Sequence, residues 1–156
     1  MVAKIRRHSV GKEAIQYTHL ASNTIQIAIP VHLFATAETV SIDSTGLKKN
    51  SGHFTLTSEM VKHLKEAYLE SYADDPTATD ATVRVELYNV TDGSVVTYVE
   101  YAGEGGYKIS SDIADTLKTL TGKLLSGRIY VTAASATTGA AQIFRSIVLR
   151  LVLGIS

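Results

Sequence analysis

A chain of 156 residues that is 45% hydrophobic and 19% charged holds enough apolar material for one core and too little charge for a disordered polymer. Its 15 Lys and Arg balance 15 Asp and Glu, so no overall basic field marks a nucleic-acid binder. The lack of Cys excludes disulfides, thiolate metal sites and cysteine nucleophiles. No apolar run approaches the roughly 20 residues of a membrane span, and the opening MVAKIRRHSVGKEAIQYTHL has no apolar h-region of a secretory signal.

Charge is uneven along the chain. Lys4, Arg6, Arg7 and Lys12 stand without an acid in residues 1–12, residues 59–104 carry a net charge of −7, and residues from 105 onward carry +4. Blocks of opposite sign form complementary patches, either within one subunit or between copies. The expected organisation is a basic arm over 1–20, followed by a single domain over 21–156. Ile5, Val10 and Ile15 give the arm apolar anchors at a spacing that suits an extended segment. The acidic block is the surface expected to receive it. The other expectation for residues 1–20 is an edge strand of the domain's own sheet.

In Thr24-Ile25-Gln26-Ile27-Ala28-Ile29 the isoleucines fall on every second position, which is a strand with one apolar face. Pro30 has no N–H, so that strand either lies at a sheet edge or changes direction there. Val31 to Phe34 and Thr39 to Ile42 read as shorter strands, and Thr45-Gly46 with Lys48 to Gly52 reads as loop. Thr57 or Ser58 caps an expected helix reaching Ala73, with Met60, Val61, Leu64, Ala67, Tyr68 and Tyr72 on one face and Lys62–Glu66 as an i,i+4 pair. Asp74-Asp75-Pro76 ends it.

Val83, Val85 and Leu87 alternate with Arg84, Glu86 and Tyr88, and Asp92-Gly93 then predicts a type I′ hairpin pairing Thr91 with Ser94, Val90 with Val95 and Tyr88 with Thr97. Gly103 to Gly106 reads as a flexible loop joining strand to helix. A second helix starts at Ser111 or Asp112, turns Ile113, Leu117 and Leu120 inward and ends at Gly122. Arg128 to Ala133 is a strand, Ala134 to Ala141 a turn, and Gln142 to Leu153 a long strand of the central kind. Its odd positions Ile147, Leu149 and Leu151 are expected in the core, and its even positions Val148 and Val152 at a subunit contact. The abundance of Thr and Tyr agrees with a mainly β body. The fold expected is an antiparallel β-sandwich or jelly-roll-like barrel with two short helices.

Motifs for chemistry do not assemble. His8, His19, His32, His53 and His63 form no i,i+4 pair. The carboxylates of Asp74 to Asp80 lack the Gly and the closing Glu of an EF-hand loop, and the Gly103 run has no Lys-Ser/Thr of a phosphate loop. No catalytic residue, metal ligand or cofactor is therefore assigned, and the chain is read as no enzyme. Asn89-Val90-Thr91 is a glycosylation sequon. Tyr88, Tyr98, Tyr101, Tyr107 and Tyr130 are strand tyrosines, of which Tyr88, Tyr98 and Tyr101 are candidates for an interface.

Residues 82–153, with the alternating run to Asp92-Gly93, a small helix, Gly127-Arg128-Ile129-Tyr130-Val131-Thr132-Ala133 and a long apolar last strand, resemble β-sandwich virion proteins: capsid decoration, turret or jelly-roll coat modules of phages and archaeal viruses. The resemblance implies a structural assembly protein of the virion, forming homo-oligomers or decorating a capsid shell, without catalytic residues. The alternative is a ligand-binding or adhesion β-sandwich that recognises a glycan or a cell-surface partner, with an extracellular or cell-surface location. Four positives without interleaved aromatics do not favour nucleic acid as partner of the arm. Few Asn and Gln and no Cys suit a thermostable protein.

Overall fold

The computed structural model describes residues 25–155, and the basic arm expected over 1–20, with Lys4, Arg6, Arg7 and Lys12, lies outside the described residues. In chain order the elements are β1 (Ile25–His32), β2 (Glu38–Ser41), β3 (Gly46–Asn50), α1 (Ser58–Lys62), β4 (Leu64–Ala73), β5 (Thr82–Asn89), β6 (Ser94–Ala102), β7 (Gly106–Ile109), α2 (Ala114–Lys118), β8 (Leu125–Ala133) and β9 (Ala141–Ile155). They form two antiparallel sheets, β1-β9-β4-β7 with β2 also on β9, and β3-β8-β5-β6. The fold is a mainly β sandwich with two short helices, and the two sheets do not close into a barrel.

The alternation in β5 sends Val83, Val85 and Leu87 into the core and leaves Arg84 and Tyr88 on the outer face. β9 is central, between β4 on one side and β1 and β2 on the other, and Ile147, Leu149 and Leu151 are buried as its odd parity predicts. Pro30 sits in β1 at the sheet edge, where its missing N–H costs no ladder bond. Tyr101 and Phe144 close the space between the sheets edge to face, with ring centroids 5.5 Å apart.

Four expectations are corrected. The helix of residues 57–73 is one short helix and a strand. Thr57 does cap α1, its Oγ1 accepting from Met60 N at 3.3 Å, but the chain turns extended at Leu64. Ala67, Leu69, Ser71 and Ala73 are then buried, alternating with Glu66, Tyr68, Glu70 and Tyr72. Helix propensity yields here because β4 finds main-chain partners on both sides: β9 along one edge, and β7 with the 110–113 segment along the other. The Lys62–Glu66 pair therefore does not share a helix.

The loop expected at Gly46 to Asn50 is strand β3, paired with β8; lysines and glycine read as loop, and they equally suit an exposed edge strand. The hairpin register also differs. Asn89 pairs with Ser94, Tyr88 with Val95 and Leu87 with Thr97, leaving a four-residue loop and a register shift. Asn89 causes this: its Oδ1 accepts from Asp92 N at 3.1 Å and its Nδ2 donates to Asp92 Oδ2 at 2.8 Å, building a turn that takes in Val90 and Thr91 on the β5 side. Gly93 keeps the expected positive φ, +69°. Finally, Gly103 to Gly106 joins strand to strand, from β6 in one sheet to β7 in the other.

Near α2, Asp112 Oδ1 accepts from both Ala114 N and Ala67 N at 2.9 Å, so the start of the helix is fastened to β4. Leu117 is fully buried, and Gly122 at φ +75° ends the segment.

Candidate interaction surfaces

The outer face of the β5 sheet is built from residues of alternate parity on three neighbouring strands. Glu86 of β5 lies between Tyr98 of β6 and Arg128 of β8, and Arg84 lies between Glu100 and Tyr130. Arg84 Nε donates to Glu100 Oε2 at 2.8 Å while its guanidinium sits 4.1 Å from the centre of the Tyr98 ring. Arg128 Nη2 donates to Glu86 Oε2 at 2.7 Å, with its guanidinium 3.7 Å from the Tyr88 ring centre and 5.6 Å from that of Tyr130. The result is a lattice of tyrosine, arginine and carboxylate held flat on the sheet. The hydrogen bond to Glu100 raises the Arg84 guanidinium above its ordinary pKa.

On the outer face of the β9 sheet, the row Val148, Glu70 and Ile109 crosses β9, β4 and β7, and Ser146, Tyr72 and Tyr107 form the next row. Arg150 donates to Glu70 and lies 4.9 Å from the Tyr68 ring centre. Tyr72, Tyr107 and Ile109 are 46%, 57% and 44% exposed. Partial burial, then the Glu70 carboxylate, raises the Tyr107 hydroxyl above its ordinary pKa.

The interface candidates from the sequence thus divide. Tyr88 and Tyr98 lie on one outer face, Val148 and Val152 on the other, and the structure does not bring them together. Val148 is half-buried and Val152 buried. Tyr101 is corrected: it is 0% exposed, because it stands three residues from Tyr98 and so points to the other side of β6, against Phe144. Tyr72 and Ile109 were not foreseen as surface residues. The signal for Tyr72 was the period-two pattern Glu66, Tyr68, Glu70, Tyr72, hidden beneath a plausible helical face.

The acidic block is likewise corrected as a free negative surface. Of its ten acids, Glu70, Asp74, Glu86, Asp92, Glu100 and Glu104 are in ion pairs, and five of these six partners are Lys108, Lys123, Arg128, Arg145 and Arg150 from the basic third of the chain. Complementarity between the blocks is realised within the subunit, because β4 lies beside β9 and β5 beside β8.

The carboxylates of residues 74–80 do not converge. Asp74 takes three donations from Arg145, Asp75 accepts from Gly105 N, and Asp80 accepts from Ala136 N. Among the described residues no three metal-ligating side chains gather. At the sequon, Asn89 is buried and both ends of its amide are bonded to Asp92.

No family model and no curated protein matches this chain. Among solved structures it is similar in backbone to a chain in the structure of the infectious bursal disease virus Gx strain, with 11% identity and a TM-score of 0.48 over 86% of this chain, which spans 34% of the other.

Proposed function

We propose that this chain is a non-enzymatic structural protein that assembles with copies of itself, as a capsid, decoration or surface component of a virion. The observation that carries the assembly reading is the outer face of the β9 sheet, where Tyr72, Tyr107 and Ile109 stand exposed beside Val148. A solvent face of a sheet ordinarily alternates to polar residues, and tyrosine with aliphatic neighbours is the composition of protein interfaces. The resemblance of residues 82–153 to virion β-sandwich modules supports the viral setting. Residues 1–20 serve in this reading as a basic arm that ties one copy to the next, with the sandwich domain following.

Sedimentation of the intact chain and of Val148→Asp tests the proposal. Assembly in the intact protein, with a lower mass and an unchanged fold in Val148→Asp, is the expected result. Leu149→Ala on the opposite face of the same strand should instead destabilise the fold by about 2–5 kcal/mol. An intact protein that stays monomeric at every concentration overturns the assembly reading. Deleting residues 2–14 tests the arm: a folded protein with reduced assembly is expected, and unchanged assembly removes the arm from the proposal.

A further inference from the structure

A sheet edge is a row of unpaired main-chain groups, and stable proteins guard it with short strands, bulges, proline or lysine. Among the described residues, β1 and β7 end one sheet, with β2 beside β1, and β3 and β6 end the other. β1 carries Pro30. β2 and β7 are four residues long. β3 is five residues long, carries Lys48 and Lys49, and shifts register between Leu47 and Lys49. β6 has nine residues, Ser94-Val95-Val96-Thr97-Tyr98-Val99-Glu100-Tyr101-Ala102, without lysine, arginine or proline. Val95 and Tyr98 on it are exposed. Among the described residues it is the longest of these edges, and its one guard is the register shift opposite Leu87 and Tyr88, which leaves Thr97 to Ala102 in regular register.

The direction of its free groups follows from burial. Val99 and Tyr101 are buried, main chain included, and alternate with exposed Tyr98, Glu100 and Ala102. In an antiparallel ladder successive residues bond alternately to the two sides. The main-chain groups of Val99 and Tyr101 therefore belong to the β5 ladder, and those of Tyr98, Glu100 and Ala102 face outward.

We infer that β6 pairs edge to edge with β6 of a second copy, antiparallel about a two-fold axis at Val99, joining two four-stranded sheets into one of eight strands. The inference rests on the self-assembly reading above and supplies it with a defined contact. A two-fold needs a self-complementary patch, and the register is set by which polar groups stand opposite one another. An axis at Glu100 would set two carboxylates directly opposite each other, which is destabilising. An axis at Tyr98 would set each Tyr98 against its own copy and each Glu100 opposite Val96, leaving the carboxylate without a polar partner across the seam. The axis at Val99 pairs Val96 through Ala102, meeting the register shift only at its ends, and places Tyr98 opposite Glu100 of the second copy. The phenol then meets a carboxylate, with Arg84 already 4.1 Å from the Tyr98 ring centre and 2.8 Å from its own Glu100. Together with a contact through the β9 face, this gives each copy two different interfaces, which is what growth beyond a closed dimer requires.

The chain has no Cys, so single cysteines report the geometry directly. Under mild oxidation of the full-length protein, Val99→Cys should give covalent dimers, since opposed residues of a non-bonded antiparallel pair lie within disulfide range. Tyr98→Cys should not, because Tyr98 and its symmetry mate stand diagonally, about 7–8 Å apart. Glu100→Pro removes an outward N–H and should lower the sedimenting mass to that held by the remaining contact, with an unchanged circular dichroism spectrum; Tyr98→Lys, an edge guard, should do the same and is read if Glu100→Pro does not fold. Cross-linking of Tyr98→Cys in place of Val99→Cys overturns the stated axis. An intact protein that assembles, with no Val99→Cys dimer and no mass change in either edge variant, overturns the β6 pairing and leaves the assembly reading standing. A monomer at every concentration overturns both.

Discussion

Both Nε and Nη2 of Arg128 donate to a single oxygen of Glu86, at 3.1 and 2.7 Å, and Glu86 is only 4% exposed although it lies on the outer face of its sheet. Arg128, Tyr88, Tyr98 and Tyr130 roof it over. A carboxylate so enclosed depends on its partner, and removing one member of such a pair costs about 3–5 kcal/mol. Arg128→Ala should lose stability on that scale in chemical denaturation, and adding Glu86→Leu should recover most of it. A loss under about 1 kcal/mol for Arg128→Ala would mean that water reaches Glu86.

Acid should weaken the fold through Asp74 and Asp92. The Arg145 guanidinium holds the Asp74 carboxyl below the ordinary value of 3.8, and Lys123, then Asn89, does so for Asp92. A carboxyl whose folded pKa is lowered stabilises the fold above its unfolded pKa, and that contribution disappears as pH falls through the folded value. Stability measured against pH should therefore decline below 3.8, and less steeply in Asp74→Asn. Equal slopes for the two proteins would contradict the assignment.

Alkali acts through Tyr101. Burial raises its hydroxyl from 10.0 to about 12. A group whose folded pKa is raised contributes fully below its unfolded value, and the contribution is lost as pH climbs through the folded one. Stability should thus fall between pH 10.0 and about 12. Tyr101→Phe should remove that part of the decline while keeping the edge-to-face contact with Phe144.

Two glycines at the same φ of +75° separate conformational strain from collision. A Cβ on Gly103 would stand 2.0 Å from Thr79 O, whereas one on Gly122 meets nothing within 4 Å. Gly122→Ala should cost about 1 kcal/mol, the left-handed backbone alone. Gly103→Ala adds a main-chain clash and should cost a further 1–3 kcal/mol or so. Equal melting temperatures for the two variants would mean that the 74–81 loop moves aside freely.

Much of the sandwich was legible because one-sided burial writes period two into the sequence. Val83, Val85 and Leu87 show it, as do Ile147, Leu149 and Leu151, and of the two readings of Pro30, a sheet edge or a change of direction, the structure has the edge. β4 was missed because Leu64, Lys65, Glu66 and Ala67 favour helix locally, and what opposes them is a pair of neighbouring strands from distant sequence. β3 was missed because edge strands are polar by necessity. The hairpin was found, but its register depended on an Asn89 side chain that competes with the ladder. Of the interface candidates, Tyr88, Tyr98 and Val148 lie on outer faces of the two sheets, and parity alone separates Tyr101 from Tyr98. Which strands flank which, and so which charges pair, is a property of topology that no local pattern carries.

The position of β9 bears on the order in which this molecule can be made. It follows every other described strand in the chain, yet it is the shared partner of β1, β2 and β4. A ribosome therefore releases the first three members of that sheet before the strand that joins them, and with them an acid-rich stretch whose neutralising cations come later. Pairing at such sequence distance is slow. The sheet is complete only when the last strand enters its middle, so a chain stopped before Ala141 would leave β1, β2 and β4 without the neighbour they share.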